Sequence, residues 1–137
     1  MIVVDASVLT DFLLGREQTI QAVADAVEGR EHEPLHAPEL IEPETLNALR
    51  GLTRKGAITE ARAGEAVIDL ARVRLVRYPH RPLRERVWEM RHNLTAYDAS
   101  YLALAEGLPN ALLMTADAGL AEVAAQSLGA GAVRRVQ

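Results

Sequence analysis

The chain reads as an α/β domain on a short, mainly parallel central sheet. Two observations predict this. Short apolar runs bounded by turn residues alternate with longer segments whose apolar positions recur at helical spacing, the pattern of βαβ units. The first and last strong runs, Ile2–Asp5 and Ala111–Met114, are apolar almost throughout, as buried strands are. Crossovers between such strands are right-handed.

Taken in order, Ile2–Asp5 is a β-branched strand. Ser7 is placed to cap a helix over Val8–Leu14, which Gly15 stops. Thr19 is placed to cap Ile20–Glu28, with Gly29 after it. Leu35–Ala37 reads as a second strand ended by Pro38. A helix then runs through Leu40, Leu46, Leu49 and Leu52 to Gly56, with Leu46 and Leu49 facing inward. Pro43 predicts a start or a kink there, with Glu44 in the first straight turn. Thr59 caps Glu60–Val73, whose stripe is Ala63, Val67, Leu70 and Ala71. Arg74–Tyr78 alternates as a strand and Pro79 breaks it. Pro82 opens a helix through Val87, Trp88 and Met90 to about Asn93. Another begins between Thr95 and Asp98 and repeats through Tyr101, Leu102 and Ala105 to Gly107. Ala111–Met114 is a strand, Leu120–Ser127 a helix and Ala132–Val136 a last weak strand. No repeat, linker or low-complexity tract interrupts the series, so residues 1–137 read as one domain.

Composition narrows the function. Residues are 49% hydrophobic and 25% charged, the balance of a globular domain. There is no cysteine, which excludes disulfides, thiolate zinc sites and cysteine nucleophiles. No signal peptide or membrane-length apolar run is evident, which predicts a cytoplasmic protein without a membrane association. The net charge of −4 argues against broad non-specific nucleic-acid binding, yet the charge is polarised. Residues 1–49 hold ten acids and two arginines, whereas residues 50–91 hold ten arginines and Lys55 against five acids. Part of that basic stretch (Arg50, Arg54, Lys55, Arg62, Arg84, Arg86, Arg91) reads either as solvated helix faces or as a phosphate-tracking rim. Arginine suits the second role because its planar fork matches phosphate.

Four acids stand where an apolar run ends or a helix begins: Asp5, Glu44, Asp98 and Asp117. Each has an ordinary alternative as a helix cap or a first-turn acid. Together they point elsewhere, because the carboxyl edge of an open parallel sheet is where such folds bind ligands. Carboxylates meeting there repel unless a hard divalent cation, Mg2+ or Mn2+, lies between them. That chemistry acts on phosphodiesters. Thr115, two residues before Asp117, is placed to orient a metal-bound water or to fix Asp117 by a hydrogen bond. Asn47 lies next to Glu44 on the helix, and Glu42 points elsewhere. Ser7 and Thr10 lack a histidine partner that would make either a nucleophile. His32, His36, His80 and His92 read as loop or element-end residues and match no zinc spacing.

The segments VVDASVLTDFLLG, PELIEPETLNAL, YDASYLALAE and LLMTADAGLA, in this order and at these separations, resemble the PIN-domain ribonucleases, and most closely the VapC-type toxins of toxin–antitoxin pairs. The resemblance covers essentially the whole chain. It implies a three-layer α/β/α domain around a short parallel sheet, a homodimer, and an acidic pocket binding Mg2+ or Mn2+. It also implies that Asp5, Glu44, Asp98 and Asp117 are the site carboxylates, with Thr115 the supporting hydroxyl. The implied substrate is RNA, and the implied partner is a VapB-like antitoxin laid in a groove. Gly119 stands where relatives often carry an arginine, and Pro43 before Glu44 is unusual. Two other readings compete: a housekeeping nuclease of the same fold, and a catalytically silent binding module. A signalling receiver fits poorly, because the only lysine, Lys55, lies at a helix end rather than after a late strand.

Overall fold

The computed structural model describes residues 1–137. Five strands, β1 (Ile2–Val4), β2 (Leu35–Pro38), β3 (Leu75–Tyr78), β4 (Leu112–Thr115) and β5 (Val133–Arg135), form one sheet in the order β3-β2-β1-β4-β5. All four pairings are parallel, and Val3 stands opposite His36 on one side and Leu113 on the other. Every residue of β1 is buried. A central parallel strand is covered on both faces, which is why its sequence is apolar without alternation.

The covering comes from seven helices: α1 (Ala6–Leu13), α2 (Glu17–Val27), α3 (Ile41–Arg54), α4 (Glu60–Leu70), α5 (Arg84–Glu89), α6 (Ala96–Gly107) and α7 (Ala118–Leu128). α1 packs with α2, α3 and α4, while α6 packs with α5 and α7 and crosses β1, β2 and β4. The result is a three-layer α/β/α sandwich. Its core is one cluster of 28 buried residues that includes Val3, Leu9, Ile41, Leu102, Leu113 and Leu120. Each such side chain contributes about 1.5–3 kcal/mol through burial. α6 is buried continuously from Ala99 to Ala105, as expected of a helix that is apolar all round.

The topology fixes where a site can form. The chain winds outward from β1 through β2 to β3, then jumps back past β1 to β4. That jump makes β1 and β4 the switch point, and a crevice opens beyond their carboxyl ends.

Several local expectations are corrected. Asp5, not Ser7, caps α1, because its carboxylate lies one residue ahead of the helix and accepts from the Val8 N–H. α2 begins at Glu17 without a side-chain cap, and Thr19 is buried inside it. α3 begins at Ile41, two residues before Pro43. The proline therefore falls in the first turn, where its missing N–H leaves no bond unmade, and the Glu44 N–H still donates to Leu40 O at 3.1 Å. Leu46 is exposed, and Ala66 and Leu70 rather than Val67 carry the buried stripe of α4. The helix after Pro82 is a 3-10 turn over Arg81–Leu83 followed by α5, which ends at Glu89, short of Asn93. His36 is a buried strand residue whose Nδ1 lies 2.7 Å from the Tyr78 hydroxyl. No helix is long and apolar enough to cross a membrane.

Candidate active site

β1 ends at Val4 and α1 starts at Ala6, so Asp5 occupies the single residue of the turn. Its backbone remains tied to the sheet through its N–H to Met114 O at 3.2 Å. The residue is 5% exposed, at the carboxyl end of β1. Oδ1 accepts from Ser7 Oγ at 2.5 Å and from the Val8 N–H at 3.0 Å, and Oδ2 accepts from the Thr115 hydroxyl. The β4–α7 turn is laced to the same group. Thr115 Oγ1 accepts from the Asp117 N–H at 2.9 Å, and Ser7 Oγ accepts from the Ala116 N–H at 3.0 Å. Two hydroxyls therefore stitch the β1 and β4 turns together around one carboxylate.

Asp117 caps α7 through Oδ1, which accepts from the Leu120 N–H at 2.8 Å. Capping holds one oxygen and leaves Oδ2 free. A Cβ on Gly119 would lie 3.2 Å from Asp117 Oδ1, so the bare glycine gives that carboxylate its room. Asp98 stands in the first turn of α6, where Thr95 is the cap and accepts from the Asp98 N–H at 3.2 Å. The cap is thus made by another residue, and both Asp98 carboxylate oxygens are free of protein donors. Glu44, in the first turn of α3, accepts from the Tyr101 hydroxyl at 2.6 Å through Oε1. Glu42, two residues earlier, is paired with Arg77 on the other side of the helix.

The four acids feel one another. Burial pushes the Asp98 carboxyl up to about 6, and the charges of Asp117, Asp5 and Glu44 push the same way. Burial also raises Glu44, assisted by the charge of Asp5 and opposed by the Tyr101 hydroxyl. Asp5 is raised by burial despite its three donors, with Asp117 adding to the shift. No basic side chain is among the groups that set these three carboxyls. The site is a concentration of negative charge lacking a protein counter-ion, the arrangement that favours a cation.

The donor set fits a hard divalent ion. All the available ligands are carboxylate oxygens, and no nitrogen or sulfur competes. A carboxylate has about four lone-pair sites. Three on Asp5 are taken by Ser7, Val8 and Thr115, which leaves one on Oδ2. Asp98 offers both oxygens, and Asp117 and Glu44 one each. No group of three or more acidic or histidine side chains is drawn together tightly enough to hold an ion by itself. That suits Mg2+, which retains waters and takes one or two carboxylates plus substrate phosphate rather than a protein cage.

The charges of Asp5, Glu44 and Asp117 all reach Asp98, and the Thr115 hydroxyl bonds both Asp5 and the Asp117 N–H. Two more residues touch these acids: Ser7, whose hydroxyl joins both turns, and Tyr101, the only donor to Glu44. Tyr101 lies three residues after Asp98, one helical turn along, and that spacing was its only signal.

The family follows from this fold and the match of its sequence: residues 2–126 fit the model of the PIN domain, and the chain belongs to the PIN-domain family. It is 43% identical over 122 residues to VapC ribonuclease Mb0985 of Mycobacterium bovis, covering 89% of this chain and 90% of the relative. The same figures hold for Ribonuclease VapC9 of Mycobacterium tuberculosis. Ribonuclease VapC1 of that organism is 40% identical over 121 residues, 87% of each chain. Among solved structures, that of PAE2754 from Pyrobaculum aerophilum matches with a TM-score of 0.65 at 29% identity, over 96% of this chain and 81% of that one. The resemblance read from the four motifs is thereby borne out.

Proposed function

We propose that this protein is a Mg2+- or Mn2+-dependent endoribonuclease, the toxin of a VapBC-type pair, working in the cytoplasm as a homodimer. The observation that carries the chemistry is the crowding of acids around Asp98, whose carboxyl is raised by burial and by the charges of Asp117, Asp5 and Glu44 with no basic group offsetting them. Asp98 and Asp117, with free oxygens on two helix starts, are the principal metal ligands. Asp5 adds one lone pair and, through Ser7 and Thr115, sets the distance between the two turns. Glu44 orders water at the open side, and the Tyr101 hydroxyl fixes its carboxylate. A bound divalent ion supplies an activated water at neutral pH and neutralises charge on the scissile phosphate.

The chain's own residues do the rest. Asp98, whose helix is capped by Thr95 and whose carboxylate has no protein donor, keeps both oxygens available to ligate. No side chain is placed as a covalent nucleophile, since the Ser7 hydroxyl is engaged on both sides. The antitoxin reading rests on the VapC-named relatives and on a groove where Phe12, Val27 and Val73 are joined by charged residues including Glu33 and Arg72. Sequencing RNA ends after brief induction tests the function. Discrete new cleavage sites are expected from the native protein and none from Asp98→Asn. Identical RNA ends in both would overturn the reading.

A further inference from the structure

Trp88 is the only tryptophan in the chain, and it is 66% exposed. A large aromatic ring in water has lost the burial that ordinarily justifies it. Its position is nevertheless fixed. The Arg91 guanidinium lies over the indole at 4.5 Å from its centroid, and Arg91 also donates to Trp88 O at 3.0 Å. The ring forms one wall of a cleft whose other residues include His80, Arg81, Arg84, Ala96 and Ser100. His80 is itself anchored, accepting from the Leu40 N–H at 3.1 Å. Ala96 and Ser100 belong to the first turns of α6, the helix that carries Asp98. The cleft and Asp98 therefore share the first turns of α6.

From this we infer that the Trp88 cleft takes an unpaired base of single-stranded RNA beside the scissile phosphate. The inference rests on the ribonuclease reading above and names where its substrate is held. A base stacks on an aromatic face whatever its identity, and the flanking guanidiniums meet the phosphates. The charges favour a polyanion. Arg81, Arg84 and Arg91 carry three positive charges around the ring. Of the acids on α5, Glu89 is already paired with Arg86 at 3.1 Å, which leaves Glu85 alone. Tyr97, 64% exposed and next to Asp98 in the sequence, offers a second ring. Two other arginines of this stretch are engaged within the protein. Arg62 donates to Leu13 O, and Arg86 is bound to Glu106 and Glu89.

Because Trp88 is unique, its fluorescence reports the cleft directly. Short single-stranded RNA is titrated into the Asp98→Asn protein with Mg2+ present, following tryptophan emission. Saturable quenching is expected. In the same background, Trp88→Ala should weaken binding of end-labelled RNA by about tenfold or more, the usual loss for one stacked base. Trp88→Phe should restore most of it. In the active protein, Trp88→Ala should raise KM and leave kcat within about threefold. Emission unmoved by saturating RNA, or RNA affinity unchanged in Trp88→Ala, would overturn the assignment. So would a shift of Trp88→Ala to a smaller species in sedimentation, which would make the surface a contact between copies. The titration needs no cleavage. A protein that quenches on RNA yet never cuts it would sink the nuclease reading while leaving the stacking surface standing.

Discussion

The Thr115 hydroxyl donates to the Asp5 carboxylate across 110 residues of sequence. Both groups are buried, and the same hydroxyl accepts from the Asp117 N–H. One oxygen thus sets the spacing of two acids contributed by neighbouring parallel strands. Thr115→Val keeps the shape and removes that link. It should destabilise the protein by about 1–3 kcal/mol, the loss for an unsatisfied buried charged acceptor, and lower cleavage about 10- to 100-fold. Thr115→Ser should recover most of both. Denaturant unfolding alongside RNA cleavage measures the pair.

Asp98 has no protein donor and three acidic neighbours. Asp98→Asn removes a repelled charge without altering shape. Cleavage should fall more than about 100-fold, beyond what loss of a supporting residue causes. The fold should persist with a higher midpoint of thermal unfolding at neutral pH in the absence of divalent ions. Circular dichroism melts check this, and a lower midpoint would contradict it.

The pH dependence follows with a definite sign. Asp98 ionises near 6 in the folded protein, against 3.8 for the free side chain. Between those values the native state holds a proton that the unfolded chain has released, so stability falls as pH rises through this window. Asp5 and Glu44 are displaced in the same direction. The melting advantage of Asp98→Asn should therefore be small near about pH 4, grow to about pH 6 and level off above. Mg2+ should stabilise the native protein at neutral pH and have less effect at about pH 4, where a proton occupies Asp98.

Tyr101 is buried and is the only donor to Glu44. Tyr101→Phe should cost about 1 kcal/mol or less, because Glu44 is half-exposed and water can replace the hydroxyl. The lost bond favoured ionised Glu44, so its carboxyl should rise further. The acid limb of the cleavage profile should then move to higher pH. An unmoved limb would remove Glu44 from the reaction.

Much of the fold could be read from the chain because the physics was local. Ile2–Val4 and Leu112–Met114 are apolar without alternation, and only a doubly covered strand wants that. Asp5, Asp98 and Asp117 were visible because each ends or starts an element. The strand order was not visible, since the jump from β3 past β1 to β4 leaves no local mark. Nor was the direction of Ser7, whose hydroxyl serves Asp5 and Ala116 instead of capping α1. Thr19 and Leu46 misled for a common reason. Composition suited a cap and a core position, but helix phase, set by packing, turned one inward and the other outward. His36 belongs to the same class, a polar residue satisfied in a strand by a tyrosine 42 residues away.

The central claim is that Asp98 and Asp117, beside Asp5, bind a divalent cation. Calorimetric titration of Mn2+ into the native protein at neutral pH, beside Asp98→Asn and Asp117→Asn, tests it most directly. Saturable binding by the native protein, weakened more than about tenfold in either variant, is the predicted result. Undiminished binding in both variants, or none in the native protein with RNA cleavage persisting in chelator, would contradict it.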